Sequence, residues 1–257
     1  MDLKLNNRHF IICGATSGFG LAITRLLVSE NAQVIAVARG KEKLEKLASE
    51  HKNNIEIFSG DITQSGIIHD LKKFVGEKRI SGILVNAGGP PAIKFIETRI
   101  AHWDEAYRSL LRWKVELVQA FLPDMVHTGY GRFLFIESAS VKQPLENLVL
   151  STSLRLSVVG MVKTLSQEQA EKGVTFNILA PGYHYTAAVE RLIQKKSEDE
   201  NISFNQARER MEKNMPMKKT GNVDDFASLA LWLLSPLSGY VNGQIYAVDG
   251  GVIKSTL

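Results

Sequence analysis

The chain has 257 residues, 44% of them hydrophobic, and a formal net charge of +4 at neutral pH. This length suits one large α/β domain better than two small ones. The cations are scattered rather than gathered in a nucleic-acid-binding tract, and no stretch approaches the roughly 18 apolar residues of a membrane span. We therefore expect a single domain, 1–257, with neither nucleic acid nor a membrane as its partner.

The single cysteine, Cys13, excludes an internal disulfide and a cysteine zinc cluster. It falls in an apolar run that predicts a buried strand, so we expect it to serve packing rather than chemistry, and we predict no metal site. The first ten residues, MDLKLNNRHF, show no apolar signal core. These features predict a soluble cytoplasmic protein.

Residues 9–39 are typical of a strand, a glycine turn, a helix and a second strand. Residues 10–13 are a short apolar run that Gly14 ends, which favours a buried parallel strand. Gly14, Gly18 and Gly20 permit a tight turn, the approach of a phosphate to bare backbone, and close packing of helix on strand. The free amides at the helix start then form an anion site. Such a turn is often only a loop, but the surrounding pattern favours a nucleotide site.

The end of the second strand, residues 34–37, indicates which nucleotide binds. An acidic residue there would hold the adenosine ribose hydroxyls, whereas this chain has Ala38 and Arg39, which favour a 2′-phosphate. The alternative is that Arg39 is one more solvated cation in a run with Lys41 and Lys43. We expect NADP(H) as the cofactor in preference to NAD(H).

The rest of the chain alternates between predicted strands and helices. Charged residues 187–216 follow the sixth strand and predict either a solvated helix pair or a mobile lid over the substrate. The alternation predicts an α/β fold: a Rossmann-type doubly wound parallel sheet of about seven strands, with helices on both faces and a ligand cleft at the carboxyl ends of the strands. The further strands are predicted at 55–59, 82–85, 132–138, 175–180 and 244–248, and the further helices at 42–51, 67–74, 103–125, 151–170 and 223–234.

Five more motifs follow the strands in a fixed order. They are Asp61-Ile62, Asn86-Ala87-Gly88, the strand 132–138 with Ser138, Pro181-Gly182 with Thr186, and Gly243-Gln244 with Asp249-Gly250-Gly251. With the glycine turn they resemble the short-chain dehydrogenase/reductase family over nearly the whole chain. The resemblance implies that Asp61 contacts adenine, that Ser138 is the active-site serine and that Thr186 touches the nicotinamide amide. The candidate cofactor-binding residues are Gly14, Thr16, Ser17, Gly18, Phe19, Gly20, Arg39, Asp61, Ile62, Asn86, Ala87, Gly88, Arg155, Pro181, Gly182 and Thr186.

The chain departs from that family where the resemblance implies the proton chemistry. The family's tyrosine stands thirteen positions after the serine and its lysine four positions further on, and these positions hold Ser151 and Arg155. The helical asparagine of the family's proton relay corresponds to Leu110. Ser151 has no neighbouring histidine in sequence, so we do not expect it to be a nucleophile.

The candidate catalytic residues are Ser138, Ser151, Arg155 and Tyr185. Ser138 either hydrogen-bonds the substrate oxygen or is satisfied within the sheet. Arg155 can hold a ribose or a carboxylate but is a poor proton donor. Tyr185, with its neighbour His184, either donates the proton or only packs over cofactor or lid.

Three other charged residues near these positions are weaker candidates for a catalytic role. Strand alternation points Glu137 away from the side of Ser138, which weakens it as a donor. Lys114 and Glu116 are expected to be interface or surface charges.

Two functions of different classes remain open. The first is an NADPH-dependent oxidoreductase that reduces the carbonyl of a small molecule, of the oxoacyl-reductase type, with a non-standard proton donor. The second is an NADP(H)-binding protein with little turnover that acts as a sensor or partner subunit. The resemblance also implies a homodimer or homotetramer that pairs helices 103–125 and 151–170. Five apolar residues supply either that contact or an internal core: Leu117, Phe121, Leu154, Val158 and Val162.

Overall fold

The computed structural model describes residues 1–51 and 53–256, so Lys52 and Leu257 of the predicted domain lie outside the described residues. Within these ranges seven strands form one sheet in which every neighbouring pair is parallel. The strands are β1 (His9–Cys13), β2 (Gln33–Ala38), β3 (Ile55–Ser59), β4 (Ile80–Val85), β5 (Gly131–Ile136), β6 (Val174–Pro181) and β7 (Ile245–Val248). Their order is β3-β2-β1-β4-β5-β6-β7. The predicted parallel sheet of about seven strands is confirmed.

Helices connect the strands and flank the sheet. None of the helices in the described residues is long and apolar enough to cross a bilayer. The helices are α1 (Gly18–Ser29), α2 (Lys41–Glu50), α3 (Ile67–Val75), α4 (Ile100–Tyr107), α5 (Trp113–His127), α6 (Val149–Glu168), α7 (Ala187–Glu200), α8 (Phe204–Lys213) and α9 (Val223–Leu234).

The sheet separates two apolar layers, as the alternation of strand side chains requires. Along β5, Leu134 and Ile136 enter a core with residues of α1, α2 and α9. Phe133 and Phe135 enter the opposite core with residues of α3, α5 and α6. Glu137 is next in this alternation, so its side chain belongs to the layer that contains α5 and α6.

The helix predicted at 103–125 is longer than expected and irregular. It begins at Ile100, passes through a π-helical turn at Arg108–Arg112, and continues through Pro123 to His127. Leu110 is buried within that turn. Such turns insert one extra residue and redirect the side chains that follow, and they are frequent at functional sites.

The apolar residues considered for a subunit contact serve the internal core instead. Leu117, Phe121, Val158 and Val162 are buried within this chain, against the sheet. Leu154 is only partly buried. The internal alternative is therefore the correct one for four of the five residues, and the homodimer or homotetramer stays a prediction.

The segment predicted as a lid contains two helices with a small core of their own. Val189 and Ile193 of α7 pack against Ala207 of α8 in a cluster distinct from the two sheet layers. The segment is closed at its base, where the Tyr185 amide donates to Gly221 O at 3.0 Å. A moving lid stays a prediction.

Phe176 provides a test of the layer that contains α5 and α6. Its ring is fully buried and stacks on Phe133 with centroids 5.1 Å apart. We expect Phe176→Ala to lower the free energy of unfolding by about 3–5 kcal/mol in urea denaturation, because it leaves a cavity between strand and helices. The fully exposed Tyr240 is the control, and Tyr240→Ala should change stability by less than about 0.5 kcal/mol. Equal losses would contradict the assignment of this layer as the core.

Candidate cofactor and active site

The glycine turn after β1 is built so that strand and helix approach more closely than side chains allow. A Cβ atom added at Gly20 would lie 2.2 Å from Gly14 O, so Gly20 is required for the contact between α1 and β1. Gly14 and Gly18 have φ values of +73° and +50°, in the region that favours glycine. This bare backbone is the cradle that a phosphate group needs, and it fits the predicted dinucleotide.

The start of α1 faces that cradle. Ser17 precedes the helix in extended conformation, and within the described residues its side chain makes no capping hydrogen bond. The first amides of α1 are thus left for an anion, in the direction that the helix dipole favours. The Phe19 ring packs on Phe226 with centroids 4.1 Å apart, so Phe19 can offer the turn only its backbone. Thr186, which follows β6, lies close to the turn: a Cβ atom added at Gly18 would be 3.5 Å from Thr186 Cγ2.

Arg39 and Asp61 meet where β2 and β3 end. Arg39 Nη1 lies 3.9 Å from Asp61 Oδ2, and the Arg39 side chain is 82% exposed. The other oxygen of Asp61 accepts hydrogen bonds from the amide and hydroxyl of Thr63. Asp61 is therefore fixed, whereas the guanidinium is available to an added phosphate. Ile62 is buried in the sheet layer of α3, so it can meet an adenine only through its backbone.

The loop after β4 is joined to the glycine turn by Asn86. Its side-chain nitrogen donates to Cys13 O at 3.4 Å and would lie 2.8 Å from a Cβ at Gly14. Cys13 itself is buried, and burial raises the pKa of its thiol to about 12. A neutral, enclosed thiol suits packing, as expected from the sequence. Ala87 and Gly88 continue this loop along the edge of the sheet.

Ser138, Ser151 and Arg155 lie at the carboxyl end of β5 and the start of α6. Ser138 Oγ accepts the amide of Ser140 at 3.1 Å, and Ser151 Oγ accepts Nε–H of Arg155 at 3.1 Å. Each hydroxyl can still donate its own hydrogen. Nη2 of Arg155 would be 3.1 Å from a Cβ at Gly89, so the guanidinium also borders the loop after β4.

Glu137 and Lys114 complete a buried ion cluster that we did not expect. Glu137 Oε2 accepts Nη1–H of Arg155 at 2.8 Å, and Glu137 Oε1 accepts from Lys114 Nζ at 2.5 Å. The side chains of Glu137 and Lys114 are 0% and 2% exposed. The expectation that Lys114 is an interface or surface charge is wrong, because Lys114 points inward from α5 to the end of β5. Glu116, by contrast, pairs with Arg112 near the surface.

Burial changes the acid strength of Lys114. Removal from water lowers its pKa from the usual 10.5 to about 8, with Glu137 opposing that change and Arg155 adding to it. The residue therefore loses its proton as the pH rises through about 8. A guanidinium stays charged throughout this range. Lys114 is thus the member of the cluster that titrates.

The ring contacts of Tyr185 and His184 are with residues outside this cluster. The Tyr185 ring lies over the guanidinium of Arg208, and its hydrogen bond to Glu190 raises the pKa of the phenol. His184 is buried against Phe19 and Phe226, and burial lowers its pKa. A phenol with a raised pKa is a weaker acid, so this geometry does not favour Tyr185 as the donor, although the assignment stays a prediction.

A cavity of about 480 Å³ opens beside the start of α6. Ile93 and Phe95 from the loop after β4, and Leu145 from the loop after β5, form much of its wall. Thr152, which follows Ser151, also lines it and has a buried hydroxyl with no hydrogen-bond partner within the described residues. A mostly apolar wall with a few polar groups suits a small organic substrate.

The predicted site residues therefore form two groups at one edge of the sheet. The glycine turn, Arg39 and Asp61 lie at β1 to β3, while Ser138, Ser151 and Arg155 lie at β5 and α6. Pro181 and Gly182 end β6, where a Cβ at Gly182 would lie 2.7 Å from the Asp249 side chain. The sequence reasoning missed the role of Lys114. The charged Glu137 directly after the apolar run 133–136 was the signal that a buried partner was needed.

Comparison with known proteins places this fold and site in a family. The family model described as Enoyl-(Acyl carrier protein) reductase matches residues 14–253. The D-beta-hydroxybutyrate dehydrogenase of Rhizobium meliloti is 31% identical over 94% of this chain and 96% of its own length. The 3-oxoacyl-[acyl-carrier-protein] reductase FabG of Thermotoga maritima is 27% identical over 98% of this chain and 100% of its own length. The chain belongs to the short-chain dehydrogenase/reductase family.

A solved structure shows the same fold. The L-sorbose reductase from Gluconobacter frateurii, complexed with NADPH and L-sorbose, matches with a TM-score of 0.92 and 22% identity. The match covers 99% of this chain and 100% of that one. The doubly wound architecture predicted from the alternation of strands and helices is therefore that of known reductases.

The buried lysine predicts an unusual dependence of stability on pH. The pKa of Lys114 is lower in the folded chain than in the unfolded one, so the unfolded chain binds more protons between pH 8 and 10.5 and stability rises with pH there. The quantity to follow is the free energy of unfolding of the wild type minus that of Lys114→Met. We expect this difference to increase by about 2 kcal/mol from pH 7 to 9.5. Urea denaturation at several pH values measures this difference. The exposed Lys43→Met should give a flat difference, and a flat result for Lys114→Met would mean that Lys114 is not buried as a cation.

Proposed function

We propose that the protein is an NADP(H)-dependent oxidoreductase that reduces the carbonyl of a small 3-oxoacyl-like molecule, with Ser151 and Arg155 in place of the usual tyrosine and lysine. The observation that carries this proposal is the Arg155 guanidinium, which joins Ser151 to Glu137 beside the loop after β4. The names of the two sequence relatives, which give a hydroxy acid and an oxoacyl group as substrates, support the substrate class.

The cofactor assignment rests on the glycine turn and on Arg39. Gly14, Gly18 and Gly20 provide a cradle for the pyrophosphate at the start of α1. The exposed guanidinium of Arg39 supplies a charged fork for a 2′-phosphate where an acidic residue would favour NAD(H). The NADPH bound to the L-sorbose reductase supports the same choice. When bound, this cofactor supplies a hydride to the carbonyl carbon.

In the proposed reaction the two serines bind the carbonyl oxygen. Both hydroxyl oxygens accept an N–H, so both hydroxyl hydrogens can be donated to the substrate. Negative charge that develops on the carbonyl oxygen is stabilised by these donors and by the Arg155 guanidinium behind Ser151. A proton must also reach that oxygen. We assign its donation to Ser151, because the guanidinium 3.1 Å away would stabilise the serine oxygen that remains until water returns the proton.

The cofactor preference can be tested through Arg39. We expect Arg39→Ala to weaken NADPH binding about 10–100-fold, which is the value of one charged hydrogen-bonding partner, and to change NADH binding less than about twofold. Titration of cofactor fluorescence measures both constants. Lys43→Ala is the control for loss of a nearby surface cation and should leave both unchanged. Equal weakening of NADPH and NADH in Arg39→Ala would overturn the assignment of Arg39 to the 2′-phosphate.

The reaction can be tested with a panel of ketones and 3-oxoacyl thioesters. We expect NADPH oxidation with at least one of them, and a loss of about 100-fold in kcat/KM in Ser151→Ala, since a donor to the oxyanion is removed. Tyr185→Phe should retain activity within about twofold, because in the wild type the Tyr185 hydroxyl is bound to Glu190 rather than to the substrate. A strong loss in Tyr185→Phe alone would return the donor role to Tyr185. Tight NADPH binding with no oxidation across the panel would instead support the cofactor-binding protein of the second hypothesis.

A further inference from the structure

Three charged side chains from three different elements meet in the interior beside the proposed nicotinamide site. Lys114 comes from α5, Glu137 follows β5 and Arg155 comes from α6. Glu137 gives one carboxylate oxygen to each cation, at 2.5 Å and 2.8 Å. Lys114 and Glu137 are not used in the carbonyl chemistry above, yet both are buried.

The charges in this cluster do not balance. One carboxylate faces two cations, so the cluster carries a net positive charge when Lys114 is protonated and none when it is not. Within the described chain, the charged groups that face Lys114 from neighbouring elements are Glu137 and Arg155. From α5 itself, the Trp113 ring lies beside Lys114 Nζ. A buried ammonium can donate three hydrogen bonds, and the described residues provide one acceptor, Glu137. The protonated form of Lys114 is therefore stabilised less than the protonated lysine of an ordinary ion pair.

The cluster lies where a dinucleotide would place its reactive ring. Strand order reverses between β1 and β4, and a dinucleotide spans the crevice at this reversal. Its phosphates belong at the glycine turn after β1, and β5 lies two strands away, roughly 10 Å along the sheet. The cluster reaches toward β4 through Nη2 of Arg155, which borders Gly89. A charge here therefore acts mainly on the nicotinamide half of the cofactor.

We propose that Lys114 and Glu137 are positioning residues of the nicotinamide site: Glu137 holds Arg155 against Ser151, and protonated Lys114 makes the site favour the neutral reduced ring over the cationic oxidised ring. The inference rests on the proposed function, because it requires NADP(H) in the crevice. It assigns to this chain a carboxylate that acts through Arg155 and a lysine that acts through its charge, neither of which touches the substrate.

The coupling follows from thermodynamic linkage. Hydride transfer leaves the nicotinamide ring with a positive charge, and a protonated Lys114 repels that charge. If a proton on Lys114 weakens binding of the oxidised cofactor, the oxidised cofactor must weaken binding of that proton by the same factor. The site therefore favours release of NADP⁺ while Lys114 is protonated and loses this preference as Lys114 titrates, near pH 8.

The experiment needs no substrate. Dissociation constants for NADPH and NADP⁺ are measured by calorimetry from pH 6.5 to 9.5, and the ratio of the NADP⁺ constant to the NADPH constant is followed. Both forms carry the same phosphates, so groups that face the adenosine half cancel in the ratio. For two unit charges about 10 Å apart at an effective dielectric constant of about 20, we expect the ratio to fall about tenfold as pH rises.

Three variants separate the proposed role from a merely structural one. Lys114→Met removes the charge, so its ratio should be low and flat across the pH range. Lys114→Arg keeps the charge at every pH, so its ratio should be high and flat. Glu137→Gln removes the carboxylate that stabilises the protonated form of Lys114, so the ratio should fall at a lower pH than in the wild type. If Lys114→Met does not fold, Lys114→Arg and Glu137→Gln still predict opposite changes from the wild type.

The outcomes distinguish this inference from the proposed function. Failure of both nucleotides to bind would overturn the proposed function and the inference together. Binding of both with a ratio that does not depend on pH, or with the same fall in Lys114→Met as in the wild type, would overturn the inference alone. The inference is supported if the ratio falls with pH in the wild type, stays low at every pH in Lys114→Met, and stays high at every pH in Lys114→Arg.

Discussion

All seven strands run in the same direction, so each loop that follows a strand emerges at the same edge of the sheet. This constraint brings together residues that lie far apart in the chain, and the site depends on it. The glycine turn follows β1, Arg39 follows β2, Asp61 follows β3 and Ser138 follows β5. Because the strand order reverses between β1 and β4, the two halves of the edge face a shared crevice. The phosphate cradle and the serine–arginine pair therefore lie at the same edge of the sheet because of one topology.

The second constraint is the burial of charge at β5. The guanidinium of Arg155 is enclosed among α6, β5 and the loop after β4, and it needs a counter-charge there. Glu137 supplies it from the adjacent strand end, with no exposed surface of its own. That carboxylate accepts a second cation, Lys114, which α5 directs inward after the π-helical turn. The ion cluster thus ties α5, β5 and α6 together.

The sequence could predict those parts of the site that rest on local conformation. A glycine whose Cβ would lie 2.2 Å from a carbonyl oxygen, such as Gly20, leaves its mark in the sequence as a short motif between strand and helix. Lys114 leaves no such mark. Lysine is rarely buried, so helix position alone favours a surface charge, and its partner lies 23 residues away. The π-helical turn that precedes Lys114 also changes the direction of the side chains that follow it, and the sequence pattern does not reveal this turn.

The energetic cost of the cluster bears on the choice between an enzyme and a cofactor-binding protein. A buried ion cluster is seldom the most stable way to fill an interior, and apolar residues of the same volume often stabilise a fold equally well or better. A protein that only holds a dinucleotide needs the glycine turn and Arg39, and both lie at β1 and β2. It has no physical need for two cations and a carboxylate at β5. In the function proposed above, the cluster stands instead where charge changes when a hydride moves, so its buried charge would serve turnover rather than binding.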